Sequence, residues 1–336
     1  MSKINKKWIF RQLKNDLIVK DSHRGVTLTY SWFANQVGHF SLGFIPTILL
    51  KEVIDNYTDF ENPAIITAIF ISLFWLVFEL YNFLGPLLKV TNKTFKPKWR
   101  NIAFDTITDL LFFFLGSFSA SLFIFNSNIN LYIVLLISLL LVYPIYYWFI
   151  TKMYQSYAFY PFQFRLSQWG FGLSTDNKKS VLDFINKENK GKHLMIFGSK
   201  SSGKTSLSIG ILNELSIKHN TCLYITSMKL YSMFYFSDKN EQQIWSWKES
   251  EYMVIDDINP GDPIKKNIVN SKKFLNFIDT SKDKNILNRE ILKNKNIIWV
   301  MGNEYISDKE YYSSWVLMLN ELGVNNEQIE SINLSK

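Results

Sequence analysis

Eight consecutive residues, Gly198-Ser199-Lys200-Ser201-Ser202-Gly203-Lys204-Thr205, have the types and spacing of a loop that wraps a chain of phosphates. Gly198 and Gly203 let the backbone pass close to oxygen atoms. The loop N–H groups, and the N-terminus of the helix that must come next, supply donors and the positive end of a dipole. Lys204 is placed to lie along the β- and γ-phosphates, and Thr205 to hold Mg²⁺ through its hydroxyl. Ser199, Lys200, Ser201 and Ser202 contribute mainly backbone, and Ser206 completes the binding stretch. The flanks suit the motif. HLMIF (193–197) reads as a buried strand, and SLSIGILNELSIKH puts Leu207, Ile211, Leu212 and Leu215 at helical spacing.

Such a loop needs an acidic strand beside it. EYMVIDDIN (251–259) provides an apolar run ending in Asp256 and Asp257. Asp256 is the candidate for the Mg²⁺ shell, through water, and Asp257 for orienting or deprotonating the attacking water. The plainer alternative for one of them is a turn or capping residue. NIIWVMGN (296–303) reads as a further strand ending in Asn303, a candidate hydrogen-bond partner of that water or of the γ-phosphate. TCLYITSMKLY (221–231) reads as a strand leading into a helix, and QIESINL as a fifth strand. Strands alternating with helices predict a parallel sheet with ATP and Mg²⁺ at its carboxyl ends.

These stretches resemble the core of the additional-strand P-loop ATPases, and within them the AAA+ group of replication initiators and helicase loaders of the DnaA and DnaC type. The likeness covers about 190–335 and implies that Asn303 is the sensor-1 residue. Departures accompany it. That group has a helical lid with an arginine, and an arginine finger for a neighbour's site. No arginine comes after Asn303 here, the last being Arg289, and the short stretch beyond Asn303 is not expected to form a lid. Lysine lacks the planar fork of arginine. Fast ring-type hydrolysis is therefore not expected from this chain alone. GTP is disfavoured, because Asp257 and Gly261 are one residue too far apart for the guanine-nucleotide element and SKDK (281–284) is a poor base reader.

The loop lies in a chain of two contrasting halves. The mean hydropathy of −0.01 averages long apolar runs over residues 25–150 with a polar remainder. A helix needs about 20 apolar residues to cross a bilayer. Four stretches qualify, at about 25–50, 63–88, 106–125 and 131–150, the first being the weakest because it carries Asn35, Gln36 and His39. The expected organisation is a basic tail over 1–24, a transmembrane bundle over 25–150, a linker over 151–190 and a P-loop domain over 191–336. The tail is either a disordered segment or an interfacial helix with Trp8, Ile9, Leu13 and Leu17 on one face. It has no apolar core of a cleavable signal.

Charge gives the orientation. The tail and the loop KVTNKTFKPKWRNIAFD are basic, KEVIDNYTDFEN is acidic and NSNIN is uncharged, which predicts both termini and the P-loop domain on the cytoplasmic side of the inner membrane. His39, Glu79 and Asp109 fall at membrane depth, where ionisable groups are costly and often functional. By depth His39 pairs with Glu79, while Asp109, one turn inside its span, reaches the headgroups. The bland reading is hydrogen bonding that holds the bundle together. Gly116, Ser117, Ser119, Ala120 and Ser121 predict a close helix neighbour. The single cysteine, Cys222, excludes an internal disulfide and a cysteine metal cluster.

The net charge of +8 does not favour nucleic acid, because much of it flanks the spans and the lysines of 263–295 are diluted by acids. The aromatics of LYSMFYF and IWSWK read as packing. Three functions compete: a membrane-anchored Mg-dependent ATPase acting on a partner protein or on copies of itself, a non-hydrolytic ATP switch or scaffold, and an ATP-gated transport component. Against the last, FRLSQWGFG (164–172) only partly echoes a transporter signature and precedes the loop.

Overall fold

The computed structural model describes residues 4–18, 26–57, 62–89, 93–125, 127–186, 190–235, 243–258, 269–302 and 308–334. They divide into two compact units, Ile9–Met153 and Met1–Trp8 with Tyr154–Lys336.

The first unit is helical. α1 (Lys6–Ile18) buries Gln12 and Asp16 and leaves Phe10, Leu17 and Ile18 exposed. Its buried stripe is polar because Gln12 Nε2 donates to Asp16 Oδ1 (2.9 Å) and Thr29 Oγ1 (3.0 Å), and Thr27 Oγ1 donates to Asp16 Oδ1 (2.8 Å). Next come α2 (Leu28–Tyr57), α3 (Pro63–Lys89), α4 (Trp99–Ile124) and α5 (Asn128–Ser156), four helices long and apolar enough to cross a membrane. Two run well past the apolar windows. α2 continues through polar residues with a Lys51–Asp55 pair at i,i+4 (2.5 Å), and α4 starts at Trp99.

Small residues set how these helices meet. A methyl group on Gly43 of α2 would collide with the carbonyl of Phe113, and one on Gly116 of α4 with the carbonyl of Phe40. Only glycine at both positions lets the backbones touch. Side-chain donors add ties: Ser117 Oγ to Gly43 O (3.4 Å), Trp75 Nε1 to Leu42 O (3.0 Å) and Trp148 Nε1 to Thr108 Oγ1 (3.2 Å). This crossing corrects the expected ion pair. His39 Nδ1 lies 3.2 Å from Asp109 Oδ1, so its partner is Asp109 rather than Glu79. α4 begins at Trp99, so Asp109 stands nearly three turns from the start of the helix.

The second unit is α/β. α6 (Thr175–Asn186) precedes β1 (His193–Phe197), α7 (Lys204–Ile217), β2 (Cys222–Thr226), α8 (Ser227–Tyr235), β3 (Tyr252–Ile258), α9 (Ser271–Phe277), α10 (Asp283–Asn294), β4 (Asn296–Met301), α11 (Asp308–Glu321) and β5 (Ile329–Asn333). All pairings are parallel, in the order β2-β3-β4-β1-β5. β1 and β4 are buried at every position, as expected for strands covered on both faces. Trp247, Trp299, Trp315 and Phe274 fill the core. IWSWK is thus packing, as its sequence suggested, and Cys222 is a buried small residue.

α7 is buried all round from Leu207 to Ile217 although it carries Ser208, Asn213, Glu214 and Ser216 among its apolar residues. Its polar side is covered by the chain over 155–166. Gln155 Nε2 donates to Asn213 Oδ1 (2.7 Å), and Asn213 Nδ2 donates to Phe164 O (2.8 Å). Tyr160 Oη bonds Ser216 Oγ and Leu212 O, and Arg165 pairs with Glu214 (3.1 Å). Asn213, Glu214 and Ser216 thereby gain partners inside the fold. Much of the stretch expected to link the two halves is a strap belonging to this unit.

Candidate functional site at the carboxyl ends of the strands

β1 delivers the chain into the glycine loop. Gly198, Ser201 and Gly203 all have positive φ (152°, 62° and 88°), and Ser202 N donates to Ser199 O at 3.2 Å to close the turn. Gly203 is the N-cap of α7 and supplies no side-chain hydrogen bond to its first turn. A Cβ on Gly203 would strike the ring of Trp169 at 2.8 Å, and one on Gly198 would meet Leu334 at 3.0 Å. Ser202 Oγ is buried without a hydrogen-bond partner in the protein. Lys204 Nζ donates to Gly198 O and Ser199 O, both at 2.7 Å, holding the loop closed on its own carbonyls. Thr205 and Ser206 sit half-buried in the first turn of α7. Uncapped N–H groups, a concave glycine cradle and an orphaned hydroxyl fit a phosphate chain.

Beside the loop lies a pocket of about 460 Å³, walled by Trp169, Phe171, Gly172 and Leu334 and floored by Ser199 to Ser202. The two rings are 5.0 Å apart at 60°. Trp169 is buried, whereas Phe171 is 46% exposed. Leu334 reaches the loop because its N–H extends the β5–β1 pairing to Phe197 O (2.8 Å). Sequence reasoning missed these three residues. The available signal was WGFG (169–172), an aromatic pair among glycines upstream of the loop.

Asp256 and Asp257 close β3. Ile255 is level with Trp299 of β4, and Trp299 with Met195 of β1, so Asp256 stands at the same end of the sheet as the loop, two strands away. That is about 10 Å at ordinary strand spacing. Asp256 is 2% exposed and held on both oxygens: Tyr224 Oη donates to Oδ2 (2.5 Å) and Asp257 N to Oδ1 (2.8 Å). Burial and the Asp256 carboxylate push the Tyr224 hydroxyl pKa up, so it stays a donor. Asp257 sits in a β-bulge at φ 58°, which turns its side chain to the surface beyond the sheet. Partial burial, and then the charge of Asp256, raise its carboxyl pKa. A raised carboxyl is the more basic one, the direction a proton acceptor needs.

Asn303 lies outside the described residues. β4 ends at Met301, and Gly302 N donates to Ile258 O at 3.2 Å, so the strand's tip abuts the acidic one. Among the described residues no group of three or more His, Cys, Asp or Glu stands together to hold a metal. A Mg²⁺ site built from Thr205, Asp256 and phosphate oxygens is of the sparse kind this ion takes. The two arginines of this unit have other partners, Arg165 on Glu214 and Arg289 Nε on Ile278 O (2.6 Å).

These features define the class: a parallel-sheet α/β domain of P-loop type with one strand between the loop strand and the acidic strand, in a chain with four long apolar helices. No family model matches the chain, and no curated protein matches it. Among solved structures, the crystal structure of DnaI is similar to 52% of this chain over 89% of its own length, at 16% identity and a TM-score of 0.32. An overlap that loose adds no weight to the class, which stands on sheet order and loop geometry.

Proposed function

We propose that the chain is a membrane-anchored ATPase of AAA+ type, whose α/β unit works in the cytoplasm and couples its nucleotide state to a partner protein or to further copies of itself. The observation that carries this reading is the sheet order β2-β3-β4-β1-β5, with the glycine loop after β1 and Asp256 closing β3. The loop from Gly198 to Ser206 would take the phosphates, with Lys204 released from its carbonyls to meet them. Thr205 and Asp256 would hold Mg²⁺, which supplies charge neutralisation on the phosphate oxygens. Asp257 would accept the proton of the attacking water, and Asn303 would orient it. Trp169, Phe171 and Leu334 offer an apolar seat for the base.

The test is Mg²⁺-dependent phosphate release by the full chain in lipid, measured with and without Lys204→Ala. Release that the substitution abolishes supports the enzyme. Tight ATP binding without release under any condition would make the chain a nucleotide-gated switch instead. That second reading is favoured by the engagement of both arginines and both Asp256 oxygens inside the fold.

A further inference from the structure

We propose that His39 and Asp109 form a proton-binding site at the inner end of a polar cleft in the helical unit, open toward the end where α2 begins. The inference rests on reading α2 to α5 as spans and is independent of the nucleotide site.

The cleft, of about 430 Å³, starts at Leu28, the first residue of α2, and is lined by Ser31, Asn35 and Gln36 of α2, Asp105 and Asp109 of α4, and Lys152 of α5. At 1.5 Å per residue His39 lies about 16 Å along α2 from that mouth. Gln36 is 1% exposed. Its Nε2 donates to Asp109 Oδ1 (3.0 Å), while its Oε1 has no hydrogen-bond partner in the protein. The indole N–H of Trp32, 7% exposed and also lining the cleft, lacks one too. Buried orphans of both kinds, an acceptor and a donor, are what water in such a cleft satisfies. Water there would carry protons to Asp109.

Three helices converge on the inner end. His39 Nδ1 is 3.2 Å from Asp109 Oδ1, and Asn35 Nδ2 is 3.4 Å from His39 Nε2. Glu79 of α3 interacts electrostatically with both His39 and Asp109. The carboxyl groups beside the ring are Asp109 and Glu79, while Asp105 and Lys152 line the cleft. The excess of carboxylates favours an added proton, and His39 Nε2 is where it goes. The ring becomes an imidazolium paired to Asp109, and Asn35 turns its amide to offer Oδ1. One N–H bond forms at Nε2 and one O–H bond of a hydronium ion in the cleft breaks, leaving water. A metal ion is the poorer fit, since no group of three or more ligating side chains stands together among the described residues.

Beyond His39 the crossing closes. The imidazole stacks on Phe113 (centroids 4.7 Å), Phe113 on Trp75 (4.2 Å), and Gly43 and Gly116 bring the backbones into contact. The proton thus enters and leaves by one face, and the site binds without conducting.

The test is ¹⁵N-histidine NMR of the full chain reconstituted in sealed bilayers, with the His39 signal assigned through His39→Gln. His39 is expected to gain and lose its proton with the pH on the side of the α2 N-terminus and not with the pH on the other side. Asp109→Asn should lower its midpoint by about one unit or more, a tenfold loss of proton affinity. Glu79→Gln, which removes the other nearby anion, should lower it too, and decides the matter should Asp109→Asn not fold. A silent His39, a midpoint unmoved by the substitutions, or an equal response to pH on either side overturns the proposal. A chain that washes off the bilayer in alkaline carbonate overturns the membrane reading and the site with it. An inserted chain with a silent His39 overturns the site alone.

Discussion

At the residue scale, Phe171 and Trp169 divide the work beside the loop. Trp169 is buried and its ring blocks any side chain at Gly203, so it shapes the cradle. Phe171 keeps nearly half its surface free and lines the same pocket, so it has a face to offer a base. Stacking of that kind contributes about 1–3 kcal/mol per base. Phe171→Ala should therefore weaken ATP binding by roughly tenfold, while inorganic phosphate competes as before because the loop is untouched. Fluorescent-nucleotide titration checks this, and an unchanged affinity would place the base elsewhere. The glycine loop and the paired aspartates were readable because their chemistry demands fixed spacing along one segment. Trp169 and Leu334 were not, because they reach the pocket from opposite ends of the α/β segment. The partner of His39 escaped for a related reason. Depth along a helix can be estimated from sequence, but which neighbour faces it depends on a crossing that Gly43 and Gly116 decide together.

At the scale of elements, strands and long apolar helices were legible from periodicity and run length, and their contacts were not. The strap over 155–166 shows why. Gln155, Tyr160 and Arg165 have no hydrophobic period, and their role appears only when α7 presents Asn213, Glu214 and Ser216 to them. The α2–α4 crossing lends itself to a test. Gly116→Ala inserts a methyl into the carbonyl of Phe40, whereas Gly38→Ala, in α2 itself, meets nothing within 4 Å. Overpacking of this sort costs about 1–3 kcal/mol, while alanine for glycine in a free helix position gains up to about 1 kcal/mol. In detergent, Gly116→Ala should lower the thermal midpoint of the helical unit and Gly38→Ala should leave it equal or raised. Equal behaviour of the two variants would mean that the backbones do not meet there.

At the scale of the whole molecule, the proposal that ATP is handled on the cytoplasmic side depends on the path of four helices. Their basic flanks supply that path by a rule about lysine and arginine in short loops. The chain carries its own control for a direct measurement. Cys222, its only cysteine, is buried, and burial pushes its thiol pKa far up, so the native protein should not react with maleimides. Single cysteines can then be read against a silent background. Glu52, on the polar end of α2, and Lys93, between α3 and α4, are both exposed and lie at opposite ends of α3. If α3 spans the bilayer with the basic loop inside, Glu52→Cys labels in intact cells with a membrane-impermeant maleimide. Lys93→Cys labels only after the cells are opened. The reverse pattern would put the α/β unit outside, where ATP is scarce, and labelling of both from one side would mean that α3 does not cross.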